Sequence, residues 1–173
     1  MNEFEAMLTG GHPNSLGRTE EVVAMVLDDP ARMSALMDCY GSDDAVVRLR
    51  VSSALKRIEP ERRDLVLAQL DRLFGEAAAL DQPSADWTIA QLLLRMEADL
   101  APHHKKQGLA ILQRNLAEKN DWIVLNMTME TLTRWAQGDA QLAAWLRPHL
   151  QRLAGDPRKS VAARARKFQK QLG

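Results

Sequence analysis

The chain has 173 residues and no formal net charge, and 46% of its residues are hydrophobic and 27% charged. These values are ordinary for one soluble globular domain with a core of its own. No apolar run approaches the ~20 residues of a membrane span. The start of the chain carries Glu3 and Glu5 where a signal peptide needs basic residues. We therefore expect a cytoplasmic protein.

Cysteine usage agrees with that expectation. Cys39 is the single cysteine, so an intrachain disulfide is excluded and a reducing compartment is indicated. Because Cys39 lies within an apolar helical pattern, we interpret it as a buried structural thiol.

The zero net charge hides an asymmetry between the two ends of the chain. Residues 1–46 carry nine acidic and two basic side chains, a net charge of −7. Residues 147–173 carry eight basic side chains and one acidic side chain, a net charge of +7. Such an arrangement favours electrostatic contacts between opposite ends.

Taken in order, the chain reads as a turn-rich lead-in followed by nine helices joined by short connections. Residues 1–17 contain many turn-forming residues and predict a flexible lead-in. Period-2 alternation is not sustained anywhere, so strands are not expected. Turn and capping residues then predict these helix bounds: 18–29, 30–40, 44–58, 60–79, 84–98, 102–118, 121–136, 139–153 and a last helix from about 158 to 172.

An internal repeat organises these helices. Alternate helices begin their core face at positions 38, 39 and 37 residues apart, namely Val47, Ala85, Val124 and Val161. Eleven residues further on, each of these helices has a large apolar residue: Ile58, Met96, Trp135 and Leu172. The preceding helices keep the same register through Leu36, Leu73, Leu112 and Leu150. Four repeating helix pairs are predicted.

The segment from Asp44 to Ile58 resembles the second helix of a HEAT repeat. It has an Asp-containing turn, a Val-Arg pair at Val47 and Arg48, and then small and leucine positions. The turn at Asp156 and the helix after it are similar, whereas Asp86 and Leu125 replace the arginine in the middle copies. The resemblance implies an all-α, right-handed superhelix of about four HEAT-like pairs plus an N-terminal helix. We expect one domain over 1–173, with a capping helix at 18–29 and repeats at about 30–58, 60–98, 102–136 and 139–172.

In such arrays the second helices line a concave face, and this implies a candidate binding surface. Counting 100° per residue from the core positions selects the side chains that point outward. The predicted partner-binding residues are Trp87, Gln91, Leu94, Trp122, Asn126, Met129 and Glu130. Exposed tryptophans are typical interface anchors. The alternative is that Trp87 and Trp122 pack within the fold, as Trp135 is predicted to do, and that Asp86 and Asp121 only cap helices.

The leading hypothesis is a non-enzymatic scaffold that binds a protein or peptide segment on this face. No phosphate loop or catalytic triad is recognisable, and no cofactor or metal is predicted. Adjacent histidines diverge by 100° on a helix, so His103 and His104 are read as solvated.

The runner-up is nucleic-acid binding, including a HEAT-like alkylpurine DNA glycosylase type of protein. Its candidate residues are Arg166, Lys167 and Lys170, which alternatively form a polar cap on the last repeat. A third hypothesis is self-association between the acidic start and the basic end of the chain.

Overall fold

The computed structural model describes all 173 residues, and it contains helices and no strands. The eleven α-helices are α1 (Glu3–Leu8), α2 (Thr19–Asp28), α3 (Met33–Asp38), α4 (Ala45–Ile58), α5 (Arg63–Leu67), α6 (Leu70–Gly75), α7 (Pro83–Arg95), α8 (Pro102–Glu118), α9 (Trp122–Ala136), α10 (Ala140–Ala154) and α11 (Lys159–Leu172). Four short 3-10 turns lie at Pro30–Arg32, Cys39–Gly41, Ala77–Ala79 and Glu97–Asp99. The all-α prediction is confirmed. None of the helices has both the length and the apolar character that crossing a lipid bilayer requires.

The chain divides into two compact units, residues 1–88 and 89–173. The division falls within α7. No composition shift, linker or glycine-rich segment marks that point in the sequence, which is why no boundary was predicted there.

The predicted core face of the second helices is buried at its named positions except Leu172, which is only half-buried. In α4 it comprises Val47, Val51, Ala54, Leu55 and Ile58, all without solvent exposure. The matching leucines of the preceding helices, Leu36, Leu73, Leu112 and Leu150, are buried as well. The 3.6-residue period therefore identified the inward side of each helix correctly.

In the first unit α4 is the central helix, and it contacts α1, α2 and α5. Asp44 caps α4 by accepting a hydrogen bond from the backbone N–H of Val46 at 2.8 Å. The Thr9 hydroxyl donates to the other oxygen of the same carboxylate at 2.7 Å. Because carboxylate capping satisfies free N–H groups of the first turn, the Asp-containing turn fixes where α4 begins.

The first 17 residues differ from the predicted flexible lead-in. Residues Glu3–Leu8 form α1, which buries Phe4, Met7 and Leu8. The loop that follows is held by Arg50, whose buried guanidinium donates to four backbone carbonyls: those of Leu8, Gly10, His12 and Ser15. A turn-rich composition predicts a loop, but it does not reveal a cation placed inside it.

The predicted helix over 60–79 is also wrong as a single element. Two short helices, α5 and α6, and a 3-10 turn replace it. The buried positions Val66, Leu70, Leu73 and Ala77 still follow each other at helical spacing. Since neither glycine nor proline lies between α5 and α6, composition gave no signal for the break.

In the second unit α9 is the central helix, and it contacts α8, α10 and α11. Asp121 caps α9 by accepting hydrogen bonds from the N–H groups of Ile123 and Val124. Asp139 caps α10 through Leu142. The predicted bounds of α8, α9, α10 and α11 agree with the structure to within one residue at most ends.

Candidate functional site

One narrow stripe of α9 reaches the surface. On the helix it consists of Ile123, Met127, Glu130 and Arg134, and it continues at Gln137, the residue after the end of α9. The spacing alternates between four and three residues. The first three are half-buried and the last two are exposed. The stripe, called the α9 stripe below, is apolar toward the start of the helix and polar toward its end. This spacing keeps all five side chains on one side of the helix.

Apart from Trp122 at its start, the remaining sides of α9 are covered, and this corrects two predicted partner-binding residues. Asn126 is 2% exposed and Met129 is fully buried, so neither is available on the surface of the folded chain. The prediction placed the outward side opposite the core. Because α9 packs against helices on several sides, its free stripe is instead rotated from the predicted direction by roughly 70° at 100° per residue.

Two predicted residues of α7, Gln91 and Leu94, lie next to the α9 stripe, and both are half-buried. The Gln91 side-chain N–H group donates to the Met127 sulfur at 3.2 Å. The Thr131 hydroxyl donates to the backbone carbonyl of Ala90 at 2.8 Å. These bonds hold the last turns of α7 against α9.

Helix α11 contributes to the same surface on the other side of α9. Arg164 lies 3.8 Å from the carboxylate of Glu130. The side-chain amide of Gln137 donates to the backbone carbonyl of Gln171 at 3.4 Å. Gln91 and Leu94 on α7, the α9 stripe, and Arg164, Lys167 and Gln171 on α11 are together called the three-helix face.

An open groove of about 700 Å³ runs over this face. Its lining residues are Leu94, Glu130, Arg134, Gln137, Lys167, Phe168 and Gln171. The groove thus brings together two predicted partner-binding residues, Leu94 and Glu130, and one residue predicted for nucleic acid, Lys167. Sites of this volume are common for ligands and peptide side chains.

A second cavity, of about 760 Å³, lies where α9 ends and α10 begins, and it shares Arg134 and Gln137 with the groove. In this cavity Glu97 forms ion pairs with Lys105, at 3.4 Å, and with Arg134, at 3.6 Å. The Lys105 ammonium also lies 5.1 Å from the ring centre of Trp135, within the range of a cation–π contact. Trp135 itself is 4% exposed, which confirms its predicted core position.

The other predicted residues lie as follows. Trp122 is the first residue of α9 and is 51% exposed, while Trp87, in the first unit, is half-buried. Arg166 and Lys170 are exposed on α11. The imidazoles of His103 and His104 are closer than the sequence suggested, with ring centres 4.0 Å apart.

Four residues of the groove were not predicted: Arg134, Gln137, Phe168 and Gln171. Gln137 continues the outward direction of Glu130 by two further turns, so a longer helical count would have included it. Phe168 is buried, and an apolar residue at a buried helical position gives no sign in the sequence that it also lines a groove. The surface position of Arg134 could be assigned only once the structure showed the direction of the α9 stripe.

Comparisons with models of protein families, with curated proteins and with solved structures find no match.

Proposed function

We propose that the chain is a short HEAT-like solenoid whose three-helix face binds a partner segment, without enzymatic activity. The repeat architecture is supported by the sequence separation of its long-range polar contacts. In a stacked array each repeat touches the next one, so contacting residues are one period apart.

Within the first unit, Arg48 donates to the side chain of Gln82, and Arg72 donates to Asp38; each pair is separated by 34 residues. The second unit shows the same spacing. Its contacts at separations of 34 to 41 residues are Gln91–Met127, Ala90–Thr131, Leu116–Arg152, Asn120–Arg158 and Gln137–Gln171. These separations lie close to the 37 to 39 residues of the sequence repeat, as contacts between neighbouring repeats would.

The observation that carries the proposed binding role is the shared groove. Successive second helices α7, α9 and α11 place Leu94, Glu130 and Lys167 along one open surface. The groove combines apolar side chains with charges and amides. Such a mixture suits a partner that contributes both an apolar anchor and polar backbone groups.

Trp122 is a further exposed side chain of α9. It is the first residue of the helix and precedes Ile123, where the apolar part of the α9 stripe begins. A large exposed aromatic side chain costs little conformational entropy to immobilise and contributes much contact area. We infer that a segment seated in the groove extends toward Trp122.

The test compares proteins captured by three versions of the full chain. The first is the wild type, the second carries Trp122→Ala and Glu130→Ala, and the third carries Lys106→Ala. Lys106 is exposed and lines neither the groove nor the second cavity. We expect the wild type and the Lys106 control to capture the same proteins, and the double variant to lose them while keeping its thermal unfolding curve. Identical capture by all three versions would show that the face does not bind.

Nucleic-acid binding is the second candidate, and the side chains of α11 favour it. Lys167 and Lys170 are exposed and have no carboxylate partner, and Arg166 donates only to the backbone carbonyl of Ala154. Binding to duplex or single-stranded DNA through these cations would weaken steeply with added salt. Absence of binding at low salt would remove this candidate.

A further inference from the structure

The charges around the groove are unequal. Two cations, Arg134 and Lys167, line it beside one carboxylate, Glu130. Glu97 forms ion pairs with both Lys105 and Arg134, and both N···O distances are longer than in a strong charge-assisted hydrogen bond. Glu130 is offset by Arg164 at 3.8 Å. Lys167 therefore has no carboxylate partner, and Arg134 shares Glu97 with Lys105.

The excess charge lies where a partner can reach it. The Arg134 side chain is 70% exposed. Lys167 is also exposed, with its ammonium 5.8 Å from the ring centre of Phe168 at the groove floor. Leu94 and the nearly covered Phe168 are the apolar residues of the groove lining. An apolar anchor seated at Leu94 would thus lie in a groove that both cations line.

The groove lining also contains two side-chain amides. Gln137 and Gln171 are exposed at its rim, and side-chain amides can both donate to and accept from an extended peptide backbone. Backbone groups that lose water on binding need such partners. The combination fits a peptide better than an enclosed small molecule, because the groove is open along one side.

A nucleic-acid strand fits this groove less well than a peptide does. Its regularly spaced phosphates need a row of cations, whereas two cations, Arg134 and Lys167, line the groove. Single strands also require exposed aromatic faces for base stacking. The ring of Phe168 is almost fully covered and cannot provide one.

We propose that the groove recognises a short acidic segment of a partner protein, in which a large apolar side chain is flanked by carboxylates. The apolar side chain contacts Leu94, and the carboxylates pair with Arg134 and Lys167. This inference rests on the proposed function, because it names the chemistry of the partner that the same face binds.

The test selects binders from a random peptide library on three full-length proteins. These are the wild type, a groove variant with Arg134→Glu and Lys167→Glu, and a control with Lys106→Glu and Lys159→Glu. The control reverses the same number of exposed charges at positions that do not line the groove. All three proteins are first compared by circular dichroism to show that they are equally folded.

We expect the wild type and the control to enrich segments that combine one large apolar residue with two or more acids. A peptide selected in this way should bind the groove variant about tenfold more weakly at low salt, since exposed ion pairs contribute modestly and are screened. Its affinity for the control should be unchanged.

Three outcomes would overturn the proposal, and they are distinguishable. Peptides that bind the groove but show no excess of acids would refute the acidic partner and leave the proposed function intact. Failure to enrich any peptide that the groove variant loses would contradict the proposed function as well. A DNA oligonucleotide that binds more tightly than the selected peptide and displaces it would assign the groove to nucleic acid.

Discussion

Arg50 shows how a single side chain can organise a segment that its own sequence leaves unstructured. It is 2% exposed, and its guanidinium meets no carboxylate but four backbone carbonyls, two of them at 2.6 Å. A planar guanidinium presents five N–H donors in a fixed geometry, which matches several carbonyls at once. The loop also approaches Arg50 closely at Gly17, where an added Cβ would lie 2.9 Å from the guanidinium carbon.

Arg50→Met should therefore free the loop over residues 9–17. We expect it to lower the free energy of unfolding by about 2–4 kcal/mol, because hydrogen bonds to a charged group are lost and a buried site is left without its donors. Arg50→Lys should recover part of the loss, since an ammonium has fewer donors. Denaturant unfolding measures both variants. A change below about 0.5 kcal/mol for Arg50→Met, within the range of an ordinary surface substitution, would contradict the role given to this side chain.

Tyr40 allows a residue-scale test by pH, because it is the single tyrosine of the chain. Burial raises the pKa of its phenol far above the ordinary value, and the hydrogen bond with Ser52 at 2.7 Å lowers that pKa only in part. The unfolded chain thus releases this proton more easily than the folded chain. Stability from this group is complete below the unfolded pKa of about 10 and is lost as pH rises above it.

We accordingly expect tyrosinate absorbance at alkaline pH to appear together with unfolding. Simultaneous absorbance and circular dichroism measurements during an alkaline titration test this. A phenol that titrates near pH 10 while the helices remain intact would show that Tyr40 is accessible to water.

At the scale of elements, α9 combines a central position with an unusually polar interior. Its buried residues include Thr128, Thr131 and Thr133. The Thr131 hydroxyl donates to Ala90, whereas the hydroxyls of Thr128 and Thr133 have no hydrogen-bond partner. A buried hydroxyl without a partner costs free energy, and a methyl group in its place does not.

Threonine-to-valine variants should therefore separate into two groups. We expect Thr128→Val and Thr133→Val each to raise the free energy of unfolding by about 1 kcal/mol, and Thr131→Val to lower it by a similar amount. Valine keeps the β-branched shape, so helix propensity changes little. Chemical unfolding of the three variants provides the measurement, and the same sign for all three would refute the distinction.

The elements also show how much of the molecule could be predicted from its sequence. Core positions such as Val47 and Val124 were correct because burial follows the helical period. Asn126 and Met129 were assigned to the surface because a helical count contains no information about neighbouring helices. Arg50 was missed for a related reason: an arginine three residues after Val47 looks like a surface charge until the loop that it binds is known.

At the scale of the whole molecule, the charge asymmetry remains a hypothesis about self-association. Glu20, Asp28 and Asp43 near the start of the chain are exposed and have no cation partner. Lys159 and Lys170 near its end are exposed and have no carboxylate partner. Contacts between copies through these charges would weaken with salt. Light scattering at low and high ionic strength tests this: we expect a larger mass at low salt, and a monomer at low salt and high concentration would refute it.

The groove over α7, α9 and α11 can be tested most directly by hydroxyl-radical footprinting of the full chain, free and bound to a selected peptide. Leu94 and Met127 are half-exposed on the three-helix face, and Leu16, exposed in the first unit, serves as the reference. We expect the peptide to reduce oxidation of Leu94 and Met127 and to leave Leu16 unchanged. Unchanged oxidation of Leu94 and Met127 with the peptide bound would contradict the assignment of this face as the binding surface.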